Sequence, residues 1–364
     1  MNKLVLAIAV LAAEAVSTYA AARDIAIEPG RAWTHKETGL SMAPAIDGFA
    51  LKGVSDYGET QSDIALTYRD QDSGTLLSIY LFRAGVPDVS VWQDRIIALI
   101  RANQGRLGAI VGKETLPTSI TPPRYAKDSG SIVTFHLTGG NAMNTGSAVL
   151  RMDGDWLMAL RMSSHTLTEQ QLSNRLLSVV ASLSLPPLKN PERVEASYPV
   201  EPCADDAPSL PANRSAGGIE EATTAWMAYE TQNAMAEHGF DSSSNVAAIP
   251  EFCREAFEGN NFSVYSRSGD RNGYLIALQD AGVTIEVSPP VTMWKTDKDL
   301  GYSVVMKTST ETTWYRGFQS MPTIGQVITV VNSEKPIAKV GRTPGTTDKV
   351  TIYTKEETEE AKAQ

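Results

Sequence analysis

The sequence is poor in the residues and motifs that most often carry enzyme chemistry. Only two cysteines and four histidines occur among its 364 residues. It contains no C-x-x-C, no G-x-S-x-G and neither of the glycine-rich motifs that hold nucleotide phosphates. A redox dithiol, a nucleophile elbow and a phosphate-binding loop therefore have no support in the sequence. We assign no catalytic residue, no cofactor and no cofactor-binding residue.

Long hydrophobic runs are scarce too, and the clearest one lies at the N-terminus. Lys3 precedes an uncharged apolar run over 4–13, and three alanines follow over 20–22. A basic start, about 7–15 apolar residues and a small-residue cleavage site define a secretory signal, whereas a membrane span needs roughly 20 residues. We predict cleavage after Ala22, or after Ala20 as second choice, and a periplasmic or secreted protein without a membrane span. The alternative is a buried N-terminal helix.

Positive charge is in short supply as well. The chain has 32 Lys and Arg against 42 Asp and Glu, a formal net charge of −10 at pH 7. An acidic surface argues against nucleic acid and anionic membrane as partners. The partner classes that remain are another protein of the cell envelope and a small ligand.

The two cysteines, Cys203 and Cys253, are expected to form one disulfide bond. An even number of cysteines in an exported protein is typical of a structural disulfide. Closing a loop of about 50 residues would stabilise the fold by roughly 4 kcal/mol in the chain-entropy model. Two free thiols, a metal-binding pair and a redox site are the alternatives. No histidine lies within helical reach of either cysteine, so we assign no metal ligand.

A proline-rich stretch divides the chain into two predicted domains. Seven prolines fall between residues 185 and 218, with few large apolar residues among them. Such a stretch favours an extended linker over a helix or a central strand. The predicted organisation is a signal peptide over 1–22, an N-terminal domain over 23–187, a linker over 188–217, a C-terminal domain over 218–354 and a disordered acidic tail over 355–364.

Apolar alternation predicts the strands of the N-terminal domain. Every second residue is apolar over 64–68 and 77–81, a pattern typical of half-buried strands, and a further strand is predicted over 132–137. Asp153-Gly154 separates two further alternating segments and predicts a hairpin. We expect a tight turn in which both residues have positive φ.

Helical spacing predicts two helices in the same domain. The first begins near Val89, shows an apolar stripe at helical spacing, and is ended by Gly105. The second is capped by Thr166 with Glu169 three residues later, and it ends at Pro186.

This succession of elements resembles the PsbP/DcrB-type α/β/α sandwich over residues 38–187. The leading strand pair, the helix, the D-G hairpin and a closing helix that reads LLSVVASLSLPP are the features that carry the likeness. The resemblance implies a non-enzymatic binding or assembly domain. It transfers no functional residue, because the group shares a fold rather than a site.

The C-terminal domain is predicted to begin with helices and to continue as a sheet. One helix is expected over 219–239, and a shorter one opens at Pro250, carries Cys253 and stops at Gly259. Alternating segments then predict strands over 262–264, 274–278, 283–287, 302–306, 312–318, 326–331 and 349–353. The predicted fold class is α+β: an N-terminal antiparallel sheet covered by two helices, then C-terminal helices followed by an antiparallel sheet.

Acidic groups that look like metal ligands are better explained as surface features. The segments 70–74 and 297–301 resemble calcium loops but lack the later ligands that such loops need, so we interpret both as turns. Glu251, Cys253, Glu255 and Glu258 would lie together on the predicted short helix, with His238 upstream. The disulfide removes Cys253 from metal binding, and a solvated acidic face explains the glutamates.

Two further groups have a functional and a plain interpretation. Arg151 and Arg161 flank the hairpin and could clasp an anion, but a solvent-facing sheet surface is the simpler explanation. Trp314 and Tyr315 could form a partly exposed binding edge.

Two classes of function remain open. The first is an exported, non-enzymatic binding or interaction protein, which we favour. The second is a hydrolase with a dispersed active site that would use His136 or His165. Ser163-Ser164-His165 at a strand end hints at such a site, although we favour a polar exit from the strand into the helix cap at Thr166.

Overall fold

The computed structural model describes most of the chain between residues 22 and 353. The described residues are 22–58, 60–107, 110–139, 142–191, 194–204, 210–215, 223, 227, 251–259, 261–289, 301–342 and 350–353. Nearly all of the predicted signal peptide and of the predicted helix over 219–239 lie outside this set, as do the acidic tail and most of the loop over 297–301.

A ten-stranded antiparallel sheet holds most of the N-terminal half. From edge to edge its strands are β1 (Arg23–Ile25), β5 (Phe49–Asp56), β6 (Asp63–Asp70), β7 (Leu76–Arg83), β12 (Trp156–Ser164), β11 (Asn144–Arg151), β10 (Gly130–Thr138) and β8 (Ile110–Glu114). β4 (Ala45–Ile46) also pairs with β5, and β9 (Thr118–Ile120) also pairs with β10. β2 (Trp33–Thr34) and β3 (Ser41–Met42) form a separate pair.

One face of this sheet packs against α2 (Glu169–Ser182). Ile64, Leu66 and Tyr68 alternate along β6 and are fully buried, as the period-2 pattern predicted. Helix α2 buries a stripe of residues at helical spacing against the same face; these are Leu172, Leu176, Val179 and Val180. Both elements are therefore set by local periodicity.

Two local details of this region differ from the prediction. The helix cap is Thr168 instead of Thr166: its Oγ1 accepts the Gln171 N–H at 3.3 Å, and the Gln171 Oε1 accepts the Thr168 N–H at 2.9 Å. The predicted hairpin joins β11 to β12, but only Gly154 has a positive φ, 61°, while Asp153 keeps an ordinary backbone conformation.

The C-terminal half contains an eight-stranded antiparallel meander. Its strands follow chain order: β13 (Phe252–Gly259), β14 (Phe262–Arg267), β15 (Asp270–Leu278), β16 (Val283–Ser288), β17 (Tyr302–Lys307), β18 (Glu311–Phe318), β19 (Ala338–Gly341) and β20 (Val350–Ile352). A third helix, α3 (Ile324–Ser333), buries Ile324, Val327 and Val330 against one face of this sheet.

Helix α1 (Val89–Leu107) lies between the two sheets. Trp92 belongs to a buried cluster that takes Phe82 and Leu157 from the ten-stranded sheet and Tyr265 and Leu275 from the eight-stranded sheet. One apolar core is therefore shared by both halves of the chain.

The predicted α+β class is wrong. The described residues form two large antiparallel sheets with three helices, so the fold is dominated by sheet. The first sheet is not a sandwich covered by two helices of its own, because α1 is shared with the second sheet. The predicted C-terminal order also fails: strand β13 replaces the short helix after Pro250, and helix α3 replaces the strand over 326–331.

Tertiary contacts explain both exchanges. Phe252 and Cys253 pair with Arg267 and Ser266 of β14, which holds this segment extended against its helical periodicity. In α3 the β-branched residues favour a strand by propensity. The capping box of Thr323 and Gln326, and burial at a spacing of three residues, make the segment helical instead.

No helix in the described ranges has the length and apolar character that a membrane crossing requires.

Candidate interaction surface

The two cysteines lie together as predicted. The Cys203 and Cys253 Cα atoms are 4.9 Å apart and their sulfur atoms are at bonding distance, 2.08 Å. The backbone supports the same contact, because the Cys203 N–H donates to Arg254 O at 2.8 Å and the Arg254 N–H donates to Glu201 O at 2.8 Å. The disulfide therefore fastens the proline-rich segment to β13.

The segment over 194–204, which we call the strap, is bound on both sides. Ser197 is buried; its N–H donates to Asp128 O at 2.7 Å and its Oγ donates to Gly130 O at 2.7 Å. The Tyr198 hydroxyl donates to Asp88 at 3.1 Å and accepts the Phe252 N–H at 2.7 Å. The strap thus contacts both sheets. The predicted division of the chain into two independent domains stays a prediction.

Burial at the strap shifts the ionisation of its acidic neighbour. Desolvation raises the pKa of Asp88, although this carboxylate accepts the Val91 N–H at 2.9 Å at the start of α1. Desolvation also raises the pKa of Tyr198. Asp88 caps a helix and receives a tyrosine hydroxyl, so its contacts are structural.

Polar residues of α1 bind the eight-stranded sheet. The Tyr265 hydroxyl donates to Asp94 at 2.9 Å, and Arg254 forms an ion pair with the same carboxylate. Arg95 donates to Gln279 O at 2.8 Å and to Ser263 Oγ at 3.1 Å. We call this boundary between the sheets, together with α1 and the turn between β15 and β16, the seam.

The arginines that flank the hairpin, Arg151 and Arg161, each have a structural contact. Arg161 forms an ion pair with Asp280 at 2.6 Å and lies over the Tyr80 ring. Arg151 donates to Trp156 O at 3.2 Å. The strand register sets the two guanidinium-bearing residues apart, because Arg151 faces Leu157 and Arg161 faces Ser147. They do not form the anion clasp considered from the sequence.

The histidines of the dispersed-site alternative do not meet a serine in the described residues. His136 is exposed and its Nδ1 lies 3.0 Å from Asn144 Oδ1. His165 is exposed as well, while the neighbouring Ser164 hydroxyl contacts Thr75 at 2.8 Å. These contacts explain the polar residues at the end of β12 as a strand exit.

A buried histidine was missed by sequence reasoning. His35 is 1% exposed and its Nε2 lies 2.8 Å from Gln61 O, while its ring meets the Trp156 ring edge-on at 4.9 Å. Burial lowers the pKa of His35. Glu37, two residues on, accepts from Trp156 Nε1 at 3.1 Å and pairs with Arg83. The sequence signal for this packed site was the closeness of Trp33 to His35, two positions apart.

The acidic groups considered as metal ligands have other partners. Asp70 Oδ1 accepts the Asp72 N–H at 3.0 Å, and Gly74 has a φ of 67°, so the segment 70–74 is the turn that was predicted. Glu255 is buried on β13 beside Arg271 at 2.7 Å and Ser266 at 2.6 Å. In the described part of the chain, no group of three or more potential ligands could hold a metal ion.

The predicted aromatic binding edge is wrong. Trp314 and Tyr315 are both buried, at 4% and 7% exposure, and they pack on opposite faces of the eight-stranded sheet. Their alternation along β18 places each ring in a different apolar cluster.

Two of the most exposed apolar side chains among the described residues lie instead at one edge of the ten-stranded sheet. We call this the open edge: β8 and the connection through Leu116. Ile110 is 67% exposed and Leu116 is 83% exposed. Among the described residues, β8 pairs with β10 alone. Its outer backbone groups are therefore open to another strand.

Ion pairs fix the charged side chains of the open edge. Lys113 Nζ lies 2.5 Å from Glu169 of α2, and Glu114 binds Arg101 of α1 at 2.8 Å. An irregularity in the pairing with β10 at Gly112 bends the strand. A bent edge strand whose charged side chains form ion pairs resists non-specific pairing with other strands. Its apolar side chains stay accessible.

The open edge was missed because its sequence is short and only weakly alternating. Ile110, Val111 and Leu116 were the apolar signal available, and they fall in a stretch that the sequence predicts as a loop because it contains glycine and proline.

The chain was compared with protein-family models, with curated proteins and with solved structures, and none of the three comparisons finds a match.

Proposed function

We propose that this chain is an exported, non-enzymatic interaction protein of the cell envelope, and that it binds a protein partner at the open edge. The observation that carries the proposal is the exposure of Ile110 and Leu116 on one sheet edge that has no second strand neighbour in the described residues. The free edge of a strand is a template for pairing with another chain, and exposed apolar side chains along it add contact area.

A protein fits this surface better than the other partner classes do. An edge strand offers backbone donors and acceptors to an extended segment, and neighbouring apolar side chains add contact area. A net charge of −10 disfavours nucleic acid. The proximity of Cys203 and Cys253 supports an oxidising destination, where disulfides persist.

Affinity capture from the cell envelope tests the proposal with matched variants. The wild-type protein and an Ile110→Ser/Leu116→Ser double variant serve as baits, and Leu177→Ser serves as control because Leu177 is exposed on α2. We expect one stoichiometric partner with the wild type and the control. The double variant should recover at least tenfold less.

Equal recovery by all three baits would remove the open edge from the proposal. Turnover in a broad hydrolase screen that is abolished by changing His136 or His165 alone would remove the non-enzymatic assignment. Thermal unfolding of each bait shows whether the substitutions alter the fold.

A further inference from the structure

One carboxyl group at the seam lacks the partners that its neighbours have. Asp63 begins β6 and lies opposite Phe82 of β7. A Cβ atom added to Gly282, whose φ is 82°, would meet the Phe82 ring at 2.8 Å. The Gly85 N–H also donates to Gly282 O at 2.7 Å. The turn between β15 and β16 is therefore closed tightly against the strands that carry Asp63.

Two other carboxylates lie close enough to Asp63 to repel its charge. Asp280 belongs to the turn between β15 and β16, and Asp56 lies at the end of β5. Each has its own cation: Arg161 of β12 binds Asp280 at 2.6 Å, and Arg23 of β1 binds Asp56 at 2.9 Å.

Asp63 has no such partner. Within the described part of the chain its carboxyl group makes no hydrogen bond and no ion pair. The nearby His35 supplies no cation in the neutral range, because burial lowers its pKa. Arg83, at the end of β7, is engaged with Glu37.

These surroundings favour the neutral form of Asp63. Burial, followed by repulsion from Asp280 and Asp56, raises the pKa of Asp63 to about 7. A neutral carboxyl group fits the closed seam, whereas an ionised one adds a third negative charge beside two guanidinium groups that are already used.

We propose that Asp63 is a proton-operated latch on the seam between the two sheets. The neutral carboxyl group lets the turn that bears Asp280 close on β6 and β7. The ionised carboxyl group repels the turn and shifts the seam toward an open form in which the partly exposed Asp63 is more fully hydrated. This device goes beyond the proposed partner binding and does not depend on it.

The direction of the pH effect follows from linkage. In the open seam Asp63 regains an ordinary pKa of about 3.9. The closed seam binds the proton more tightly, so acid favours the closed form. The ratio of open to closed seam should rise by up to about tenfold per pH unit between about pH 4 and pH 7, and it should level off above pH 7.

Hydrogen exchange at the seam tests the latch. The probe is the Gly85 amide, which donates across the seam to Gly282 O, measured from pH 5 to pH 8 and corrected for intrinsic exchange. We expect its protection to fall as the pH rises in the wild type and to stay constant in Asp63→Asn. Asp72→Asn, in an exposed turn, is the matched control and should keep the wild-type dependence.

A second measurement needs no variant and covers the case in which Asp63→Asn does not fold. The carboxyl carbon of Asp63, followed by NMR in the wild-type protein, should titrate near pH 7. Titration near pH 4 would overturn the latch. So would a Gly85 amide whose protection does not change with pH, or an Asp63→Asn variant that keeps the wild-type slope.

Discussion

Each of the two sheets is covered on one face by a helix of its own, and the two sheets share a third helix. The ten-stranded sheet has α2 to itself and the eight-stranded sheet has α3 to itself, and each of these helices begins with a capping box. Helix α1 belongs to both sheets. Helices α2 and α3 therefore each cover a single sheet, whereas α1 couples the two sheets.

The shared helix differs from the other two in what it buries. Asp94 and Arg95 are buried on α1 and bind the eight-stranded sheet, while Trp92 fills the apolar core between the sheets. The described buried positions of α2 and α3 are apolar. Coupling through α1 therefore combines apolar packing with satisfied buried charge, which holds one specific arrangement in place.

The largest expected effect comes from removing a large side chain from the apolar core that α1 shares with both sheets. This substitution tests whether α1 couples the sheets. Trp92 is fully buried, lies 5.8 Å from the Phe82 ring and donates from Nε1 to Val86 O at 2.7 Å. We expect Trp92→Ala to lower the free energy of unfolding by about 3–5 kcal/mol. We also expect it to uncouple the sheets, so that hydrogen exchange in increasing denaturant shows β6–β7 and β15–β16 opening at different concentrations.

A matched substitution outside the seam controls for stability alone. Leu176 is fully buried on α2, and Leu176→Ala should cost about 2–5 kcal/mol while both sheets still unfold in one transition. If Trp92→Ala also keeps a single transition, coupling does not pass through α1.

The second prediction concerns the strap, which joins the sheets by a covalent route. Its disulfide spans 50 positions of sequence, and the Cys203→Ser/Cys253→Ser double variant should lose about 4 kcal/mol in the chain-entropy model. Thermal unfolding with and without a reducing agent measures the effect. The reducing agent should destabilise the wild type and leave the double variant unchanged. A double variant as stable as the wild type would assign the strap's attachment to Ser197 and Tyr198 alone.

Elements that are set by local periodicity were predictable. The alternation of Ile64, Leu66 and Tyr68 and the helical stripe that includes Leu172 and Leu176 appear as predicted. In both cases one face of the element is buried, so the sequence period records the geometry directly. The pairing of the two cysteines was also accessible, because only one partner existed for each.

Elements that depend on distant contacts were not predictable. Strand β13 is held extended by β14 and by the strap, and α1 is shared with strands more than 150 residues away in sequence. No local pattern of Phe252, Asp94 or Arg95 reveals those partners. The same holds for the open edge, whose role follows from its place at the end of the sheet order instead of from its residues.

The smallest predicted effect sharpens the comparison of the two unshared helices. Thr168 caps α2 and Thr323 caps α3, each in a capping box with the glutamine three residues on. Thr168→Ala and Thr323→Ala should each lower the free energy of unfolding by about 1 kcal/mol, because an N-terminal N–H loses its acceptor. Thr166→Ala is the control: Thr166 is exposed and, among the described residues, its hydroxyl meets Ser164 alone, at 3.2 Å. Denaturant unfolding should therefore change less. A loss at Thr323 without one at Thr168 would show that the cap matters only on the eight-stranded sheet, and the shared plan of the two helices would fail.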